Sequence, residues 1–347
     1  DHAVRFGTVD VDSFPIEVHG EQEGSNYNGH YQSTIYHPLV ASFSVAGDYD
    51  SAREGFRLGN GFVHAVLRMG HVHTSNGALS FIQEVIRKTD GMAQVLDFRL
   101  DAGLAIGEIM DCLTDEKKRF IGRLRANAVL DRLAEPHLNR PVGRPPKEGY
   151  ERVIELGKHQ LSSWRHPQRL ILVVTDRPDP VTGQLNLLPD YFFLVTNWEQ
   201  KRLRAEKLLD HYRKRGTFED RLGEFVGAVG GHLSLHEGLD NEVTFLLQLL
   251  SFNLASILRI ELEAETGGGW DLQRFQNYVL KAGGRVAKGA RRLTFYIAQA
   301  VVPFWKLVLK RIASWRLPDR WAPPRGASRR PWVPPPAHAQ CEEVLRW

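Results

Sequence analysis

Short β-strand patterns come first as a run along the chain and then alternate with helix patterns, and this order constrains the fold most strongly. The apolar residues at 78, 81, 82, 85 and 86 follow the spacing of one helix face, so we predict an amphipathic helix over residues 75–88. Strands in a run followed by strands that alternate with helices indicate a mixed α/β sheet. The strand-like runs are residues 8–13, 36–45, 61–69, 94–100 and 119–124.

The composition changes at about residue 134, where prolines become frequent. Pro136, Pro141, Pro145 and Pro146 interrupt regular structure. Strand-like runs separated by turn-rich sequence follow them. We therefore predict a β-rich insertion of about 60 residues at this point, after which helix patterns resume. The strand-like runs of the insertion are residues 150–156, 169–175 and 191–196.

Two long apolar stretches raise the question of a membrane. They cover residues 243–258 and 293–309 and are interrupted by polar residues or proline, among them Gln248, Asn253 and Pro303. Both are short for a membrane span, which needs about 20 apolar residues. We predict that both are buried core helices and that the protein has no membrane partner.

The net charge of +4 hides an uneven distribution of charged residues. Residues 281–347 contain 14 Lys and Arg and 3 Asp and Glu, a net charge of +11, so the rest of the chain carries −7. An acidic body with a basic tail indicates a function that involves both cations and polyanions. A merely solvated tail would have the same composition.

Cysteine and histidine positions argue against two common kinds of structural framework. Cys112 and Cys341 are too few for a disulfide scaffold or a four-cysteine zinc site, and they fit a reducing cytosol. His71 and His73, with His64 nearby, have no Cys or carboxylate at zinc spacing. We interpret these histidines as surface or strand residues.

Three acidic residues occupy positions where carboxylates can converge. Asp12 ends the first predicted strand, Asp101 ends a later strand before a glycine turn, and Glu219 lies in the first turn of a predicted helix. Carboxylates at adjacent strand ends can hold Mg²⁺, which prefers oxygen ligands and also binds phosphate oxygens. Two such ions about 3.5–4 Å apart can promote phosphoryl transfer. Surface carboxylates remain the alternative, since the chain has 41 acidic residues.

Collinear motifs around these acids resemble those of DDE transposases of bacterial insertion sequences. The last of them is the Tyr-Arg-Glu signature, Tyr212-x-x-Arg215-x-x-x-Glu219, followed by a Leu-rich helix around Phe252 and Asn253. The resemblance runs in order from about Val9 to Ser314. The earlier motifs are Asp-Val-Asp-Ser at 10–13, His-Gly-Glu-Gln-Glu-Gly at 19–24, Tyr-Asn-Gly-His-Tyr at 27–31, Arg-Leu-Asp-Ala-Gly at 99–103 and Gly-Arg-Leu-Arg-Ala-Asn at 122–127.

The resemblance implies a ribonuclease-H-like catalytic core that is interrupted by a β-rich insertion. We expect the first part of the core at residues 1–133, the insertion at 134–198 and the completion of the core, with the glutamate helix, at 199–262. A helical C-terminal region would follow at 263–314. Residues 315–347 would form a disordered tail rich in Pro and Arg.

The resemblance also implies the roles of the signature residues. Asp12, Asp101 and Glu219 would be the catalytic residues and the ligands of two Mg²⁺ ions, which Mn²⁺ can replace. Tyr212 and Arg215 would hold DNA phosphate near them, because Arg suits bidentate phosphate contacts.

The signature departs from the family pattern at one position. Where the family often has a lysine seven residues after the glutamate, this chain has Val226, and Gly223 is also uncharged. One phosphate contact is therefore missing here or is supplied from elsewhere.

Two of the three acids have a neighbour that competes for the assignment. Asp10 shares a strand face with Asp12, and Asp97 shares one with Asp101. We prefer Asp12 because the family's aspartate precedes a small or hydroxyl residue, and Asp101 because it ends its strand before a glycine turn.

Further DNA contacts are expected from three parts of the chain. Arg144 lies in a Pro- and Arg-rich segment that resembles a minor-groove arm, although a Pro-rich linker is an equal alternative. Trp198 could stack on a flipped base, as a Trp of the insertion does in related transposases, and core packing is its alternative. Arg291 and Arg292 begin the basic tail as a candidate surface for the DNA backbone.

The predicted function is cut-and-paste DNA transposition by a bacterial enzyme of the cytoplasm, associated with the nucleoid. Its partners would be double-stranded DNA, as transposon ends and target, and a second copy of itself in a homodimer. The alternatives are a nuclease of the same fold without strand transfer and a DNA-binding remnant without activity. Because the chain begins with Asp1 and lacks the family's N-terminal DNA-binding segment, we expect an N-terminally truncated copy. It has no basic-then-apolar signal segment.

Overall fold

The computed structural model divides the chain into two compact units. The first comprises residues 1–223 and 231–250, and the second comprises residues 224–230 and 251–347. The structure describes residues 4–45, 61–140, 149–179, 182, 184–185, 188–263, 269–281, 283–288, 293–314 and 344–346.

The first unit is built on a large sheet with helices on both faces. The strands of this unit are β1 (Val4–Ser13), β2 (Ile16–Glu17), β3 (Asn26–Asn28), β4 (Ser33–Tyr36), β5 (Leu39–Val45), β6 (Gly61–Val66), β7 (Ala93–Leu100), β8 (Arg119–Arg123), β9 (Tyr150–His159), β10 (Gln168–Asp176) and β11 (Asp190–Thr196). The helices that begin in this unit are α1 (Ala78–Thr89), α2 (Gly107–Asp115), α3 (Ala128–Ala134), α4 (Ala205–Arg213), α5 (Gly216–Val229) and α6 (Gly238–Glu261).

The large sheet has eight strands in the order β6-β5-β1-β7-β8-β11-β10-β9. β1, β7 and β8 are parallel to one another, and every other neighbouring pair is antiparallel. This arrangement confirms the predicted mixed α/β class with a ribonuclease-H-like core, formed by β6, β5, β1, β7 and β8. The strands of the predicted insertion, β9–β11, extend the same sheet beyond β8. The division at residue 134 remains a prediction.

Alternation along β1 explains how one strand serves both a core and a polar face. Val9 and Val11 are fully buried in the main hydrophobic core, which α1, α2 and α3 cover. Asp10 and Asp12 point to the opposite face, because successive side chains alternate in a strand. On that face α4 covers a second core around Ile121.

Pairing between β1 and β7 brings two strand ends to one edge of the sheet. Val11 pairs with Leu100 in parallel register, so Asp12 and Asp101 each follow one member of the last pair. Neighbouring strands lie about 4.8 Å apart, and parallel strands end on the same side. The register therefore places both residues at adjacent positions of the same edge.

Helix α6 contains the first apolar stretch, residues 243–258, as predicted, but it is not fully buried. Phe245, Leu249 and Phe252 lie on its buried side, whereas Leu247 and Leu254 are more than half exposed. Of the helices in the described part of the chain, the segment Gly238–Ile260 alone is long and apolar enough to cross a membrane by length and composition. The prediction of a buried core helix is therefore correct for one side only.

The second unit contains strands in the region predicted to be helical, residues 263–314, and one strand in the predicted tail. Its described elements are α7 (Leu272–Phe275), a π-helical turn (Gln276–Leu280), β12 (Gly284–Lys288), β13 (Leu293–Ile297), α8 (Val302–Ser314) and β14 (Val344–Arg346), and β12-β13-β14 form a sheet. The predicted helix over residues 293–309 is wrong in its first part. That part carries Thr, Phe, Tyr and Ile, which favour strands, and α8 then starts beside Pro303, a residue tolerated in a first helical turn. Of the predicted tail, only residues 344–346 lie within the described residues.

Candidate active site

Asp12 and Asp101 line one cleft at the carboxyl edge of β1 and β7. The cleft has a volume of about 440 Å³. Its lining residues are Asp12, Ser13, Asn28, His30, Tyr31, His37, His71, Val72, His73, Thr74, Asp101, Gly103 and Arg125.

Backbone amides hold both carboxylates in place. The N–H of Ser13 donates to Asp12 Oδ1 at 2.8 Å, and the N–H of Leu104 donates to Asp101 Oδ1 at 2.9 Å. A Cβ at Gly103 would lie 3.2 Å from Asp101 Oδ2, so the glycine keeps the turn after β7 close to this carboxylate. These local bonds fix each side chain at its strand end.

Arg215 links the third acid to the first. It lies between α4 and α5, and its Nη1 donates to Glu219 Oε1 at 2.8 Å, while its Nη2 donates to Asp12 Oδ2. The Arg215 side chain is 11% exposed and that of Glu219 is 62% exposed. A rigid guanidinium fork bridges the two carboxylates through two separate nitrogens, whereas a lysine offers a single nitrogen.

Burial and neighbouring charges shift the acid–base equilibria of the cleft. Burial raises the pKa of Asp12 to about 6; the Arg215 charge opposes this rise and the Asp101 charge adds to it. Burial, together with the charges of Asp12 and Asp101, also raises the pKa of Tyr31. Burial is the main cause of the raised pKa of Tyr212, which Asp101 and Asp12 also raise. Both tyrosines thus remain protonated donors at neutral pH.

The competing aspartate of β1 lies beneath the cleft and is neutralised there. Asp10 is 1% exposed and receives two hydrogen bonds from Arg99, including one from Nε to Oδ1 at 2.7 Å. Arg99 also donates to the backbone oxygen of His211 at 3.1 Å. Asp10 does not line the cleft.

The competing aspartate of β7 is also buried. Asp97 is 3% exposed, and its burial raises its pKa to about 7, against the opposing effects of Arg119 and Trp198. His211 Nε2 lies 3.9 Å from Asp97 Oδ2, and burial lowers the pKa of His211 to about 4. Burial thus disfavours the charged form of each group.

Trp198 lies in the second core and not in the cleft. It packs against the hydrophobic residues beneath α4, and the guanidinium of Arg119 lies 4.1 Å from its ring centroid. Tyr212 packs against the same core. Val226, at the position of the family's lysine, is 45% exposed. The predicted DNA contacts Arg144, Arg291 and Arg292 lie outside the described residues.

The donor set has the chemistry that a hard divalent cation requires. Asp12, Asp101 and Glu219 offer carboxylate oxygens, and the first two share a cleft. In the described residues no group of three His, Cys, Asp or Glu is already assembled for a metal, and Arg215 pairs with both Asp12 and Glu219. The carboxylates fit such an ion, with the guanidinium as their present counter-charge.

Several residues of the cleft carry no assigned role in the sequence-based prediction. His71 and His73 were interpreted there as surface or strand histidines, and both line the cleft, where they bond to Asn26 and Ser75. Arg125 lines it too. The collinear motifs at 27–31 and 122–127 were the available signal for this region of the chain.

Comparison with known proteins decides the family. The model of the family described as transposase DDE domain, group 1, matches residues 4–316. The chain belongs to this family. DDE transposases are enzymes of phosphoryl transfer on DNA and generally depend on divalent metal.

Two other comparisons concern curated sequences and solved structures. No curated protein matches the chain in sequence. A solved structure, the piggyBac transposase synaptic complex with hairpin DNA, matches with a TM-score of 0.47 and 10% identity over 90% of this chain. The match covers 55% of the piggyBac chain, so this chain spans little more than half its length.

Proposed function

We propose that the protein cleaves DNA at terminal inverted repeats and joins the 3′-hydroxyl ends to target DNA, in cut-and-paste transposition. The observation that carries this proposal is the convergence of the three signature acids, with Asp12 and Asp101 in one cleft and Glu219 tied to Asp12 through Arg215. Phosphoryl transfer needs mainly positioning and charge neutralisation, which such a set can provide.

Asp12, Asp101 and Glu219 would hold divalent metal, Mg²⁺ in the cell and Mn²⁺ as a substitute, as two ions. The metal supplies charge neutralisation and activation of the attacking oxygen when it is bound. With a pKa of about 6, Asp12 is ionised at neutral pH and is able to bind a cation.

The other residues of the site would position the DNA. Arg215 brings a permanent positive charge against the carboxylates and is able to bind a phosphate oxygen when one of its two acids turns to metal. Tyr212 brings a protonated hydroxyl into the same electrostatic environment. In this proposal two copies act as a homodimer on paired ends, in the bacterial cytoplasm and without a membrane partner.

The test uses a duplex that carries the inverted repeats flanking the gene. Incubation with Mg²⁺ or Mn²⁺ should give cleavage at the repeat end, and addition of a supercoiled plasmid should give joined products. EDTA should abolish both. Cleavage without joined products would identify a nuclease, and DNA binding without metal-dependent cleavage would identify an inactive remnant. Either result would overturn the proposal.

A further inference from the structure

Helix α6 presents a continuous aliphatic stripe to solvent. At 3.6 residues per turn, the side chains of the stripe fall within about 100° of the helix circumference, and no other residue between positions 239 and 254 falls in that sector. Each of them is between 42% and 69% exposed. An exposed aliphatic surface of this length marks an interaction site. The stripe consists of Leu239, Val243, Leu246, Leu247, Leu250 and Leu254.

The opposite side of α6 is fixed in the first unit, which argues against a helix that leaves this unit for a membrane. Asn241 and Phe245 are fully buried. The Asn241 amide donates to the backbone oxygen of Leu235 at 2.7 Å and to the Tyr36 hydroxyl at 3.2 Å, and it accepts the backbone N–H of Leu235 at 3.1 Å. A membrane-spanning α6 would lose these bonds and carry the amide into lipid, which is costly. The stripe therefore suits a partner that covers one side of the helix.

The stripe is symmetric about its own midpoint, between Leu246 and Leu247. The intervals between its successive members are 4, 3, 1, 3 and 4 residues. A twofold axis through this midpoint would relate two antiparallel copies of α6 and bring every member against an aliphatic residue of the other copy. Such self-complementarity is what an isologous interface requires. The pairs would be Leu239 with Leu254, Val243 with Leu250 and Leu246 with Leu247.

The acids beside the stripe favour the same antiparallel arrangement. Asp240 and Glu242 both lie near the N-terminal end of α6. In a parallel pair the acids of the two copies would lie side by side and repel one another. In the antiparallel pair they lie beside the uncharged Asn253 and Ser251 of the second copy.

We infer that α6 is the interface between two copies of this chain, packed as an antiparallel helix pair through the aliphatic stripe. Helices that pack through interlocking side chains lie about 8–10 Å apart, a distance at which Leu and Val side chains of both copies are in contact. The inference rests on the proposed function in one respect, because its occupant is the second copy that acts on the paired DNA ends. It adds the surface through which the two copies associate.

Sedimentation equilibrium of the full chain, without DNA or metal, tests the interface through the dimer dissociation constant. We expect a dimeric wild type, and Leu246→Glu should weaken the dimer by about tenfold or more, because it places a charge at the centre of an apolar contact. Leu188→Glu is the matched control, since Leu188 is 64% exposed and does not lie on α6. Both substitutions are at exposed positions, and far-UV circular dichroism checks that the fold is retained.

A designed charge pair tests the antiparallel register. Val243→Lys and Leu250→Glu should each weaken the dimer when made alone. The double variant should restore it, because the introduced amine of one copy then meets the introduced carboxylate of the other. In a parallel pair the double variant would place like charges together and remain monomeric.

The outcomes separate the interface from the catalytic proposal. A monomeric wild type, equal dissociation constants for wild type and Leu246→Glu, or a double variant that stays monomeric would each overturn the inference. A monomeric wild type that sediments with phosphatidylglycerol vesicles would assign the stripe to a lipid surface and overturn it too. Cleavage of the repeat duplex is measured separately. A dimer that Leu246→Glu dissociates, in a protein that never cleaves DNA, would support the interface and contradict the proposed function instead.

Discussion

The guanidinium of Arg215 donates a hydrogen bond to the carboxylate of Asp12, which lies 203 positions earlier in the chain. The same guanidinium donates to Glu219, four residues later, at 2.8 Å. One side chain thus joins the end of β1 to the first turn of α5. The Tyr-Arg-Glu spacing of the sequence has a direct structural role, because it places the bridging cation one helical turn before the acid.

Substitutions of Arg215 should distinguish the effect of its charge on cleavage from the effect of its hydrogen-bonding geometry. Lysine keeps the charge but offers one nitrogen in place of the planar fork, so we expect Arg215→Lys to cleave DNA much more slowly than wild type. Arg215→Ala should lose on the order of 10²-fold or more. Single-turnover cleavage of the repeat duplex measures both. Arg213→Lys is the control, because Arg213 pairs with Glu151 and with none of the three acids. Equal rates for Arg215→Lys and wild type would exclude a bridging role.

The buried pair of Asp10 and Arg99 should be a structural requirement. Asp10→Asn leaves the Arg99 guanidinium, 4% exposed, without its counter-charge, and we expect a loss of about 3–5 kcal/mol in the free energy of unfolding. Urea unfolding gives this value. The exposed pair of Lys207 and Asp210 provides the comparison: Asp210→Asn should cost about 0–1 kcal/mol. Similar losses for the two variants would contradict the buried role.

Asp97 and His211 should give the pH dependence of stability two opposite components. The pKa of Asp97 is raised from 3.8 to about 7, so between about pH 4 and pH 7 the folded protein binds a proton that the unfolded chain has released. The contribution of Asp97 to the free energy of unfolding is therefore lost as pH rises through this range. The pKa of His211 is lowered from 6.5 to about 4, so its component is lost as pH falls through that range. Relative to wild type, Asp97→Asn should therefore gain stability with rising pH, and His211→Gln should lose it. Urea unfolding at about pH 4.5 and about pH 7.5, near the two ends of these ranges, gives for each variant the change with pH in its free energy of unfolding relative to wild type. Changes of the same sign for the two variants would refute the assignment.

Gly70 should be intolerant of any side chain. A Cβ there would lie 2.0 Å from the backbone oxygen of Ile35 and 2.5 Å from that of Asn26, and backbone cannot move aside as a flexible side chain can. Gly70 also accepts a hydrogen bond from Asn28, a cleft residue, at 2.7 Å. We expect Gly70→Ala to cost about 1–3 kcal/mol or more in thermal unfolding. Gly29→Ala, where no atom lies within 4 Å of the added Cβ, should leave the melting temperature unchanged. A harmless Gly70→Ala would show that these strands pack less tightly than the structure has them.

The sequence predicted the elements that have strong local patterns. The strand patterns predicted Asp12 and Asp101 at strand ends, and the pairing of β1 with β7 brings these two ends to one edge. The preference for Asp12 over Asp10 came from the family resemblance, because alternation places both on the same strand face. Long-range contacts were beyond local patterns: the bridge from Arg215 to Asp12 and the pair of Asp10 with Arg99 join residues far apart in sequence.

Surfaces and tertiary neighbours explain the remaining differences. The histidines of the cleft lack zinc spacing, so spacing gave no sign that loops would bring His73 beside Arg125. Helix α6 is apolar on two sides, and hydropathy cannot tell which side a neighbour covers. The strand β13 is short, and an apolar run of its length is compatible with helix or strand until its partners are known.

The most direct measurement is metal-dependent cleavage of the repeat duplex by Asp101→Asn beside wild type and Asp90→Asn. Asp101 lines the cleft, whereas Asp90 is an exposed residue that follows α1. The substitution removes a charge and changes the shape little, so folding should be retained. We predict that Asp90→Asn cleaves as wild type and that Asp101→Asn gives no Mg²⁺-dependent cleavage. Cleavage by Asp101→Asn at the wild-type rate would contradict the catalytic role of the three acids.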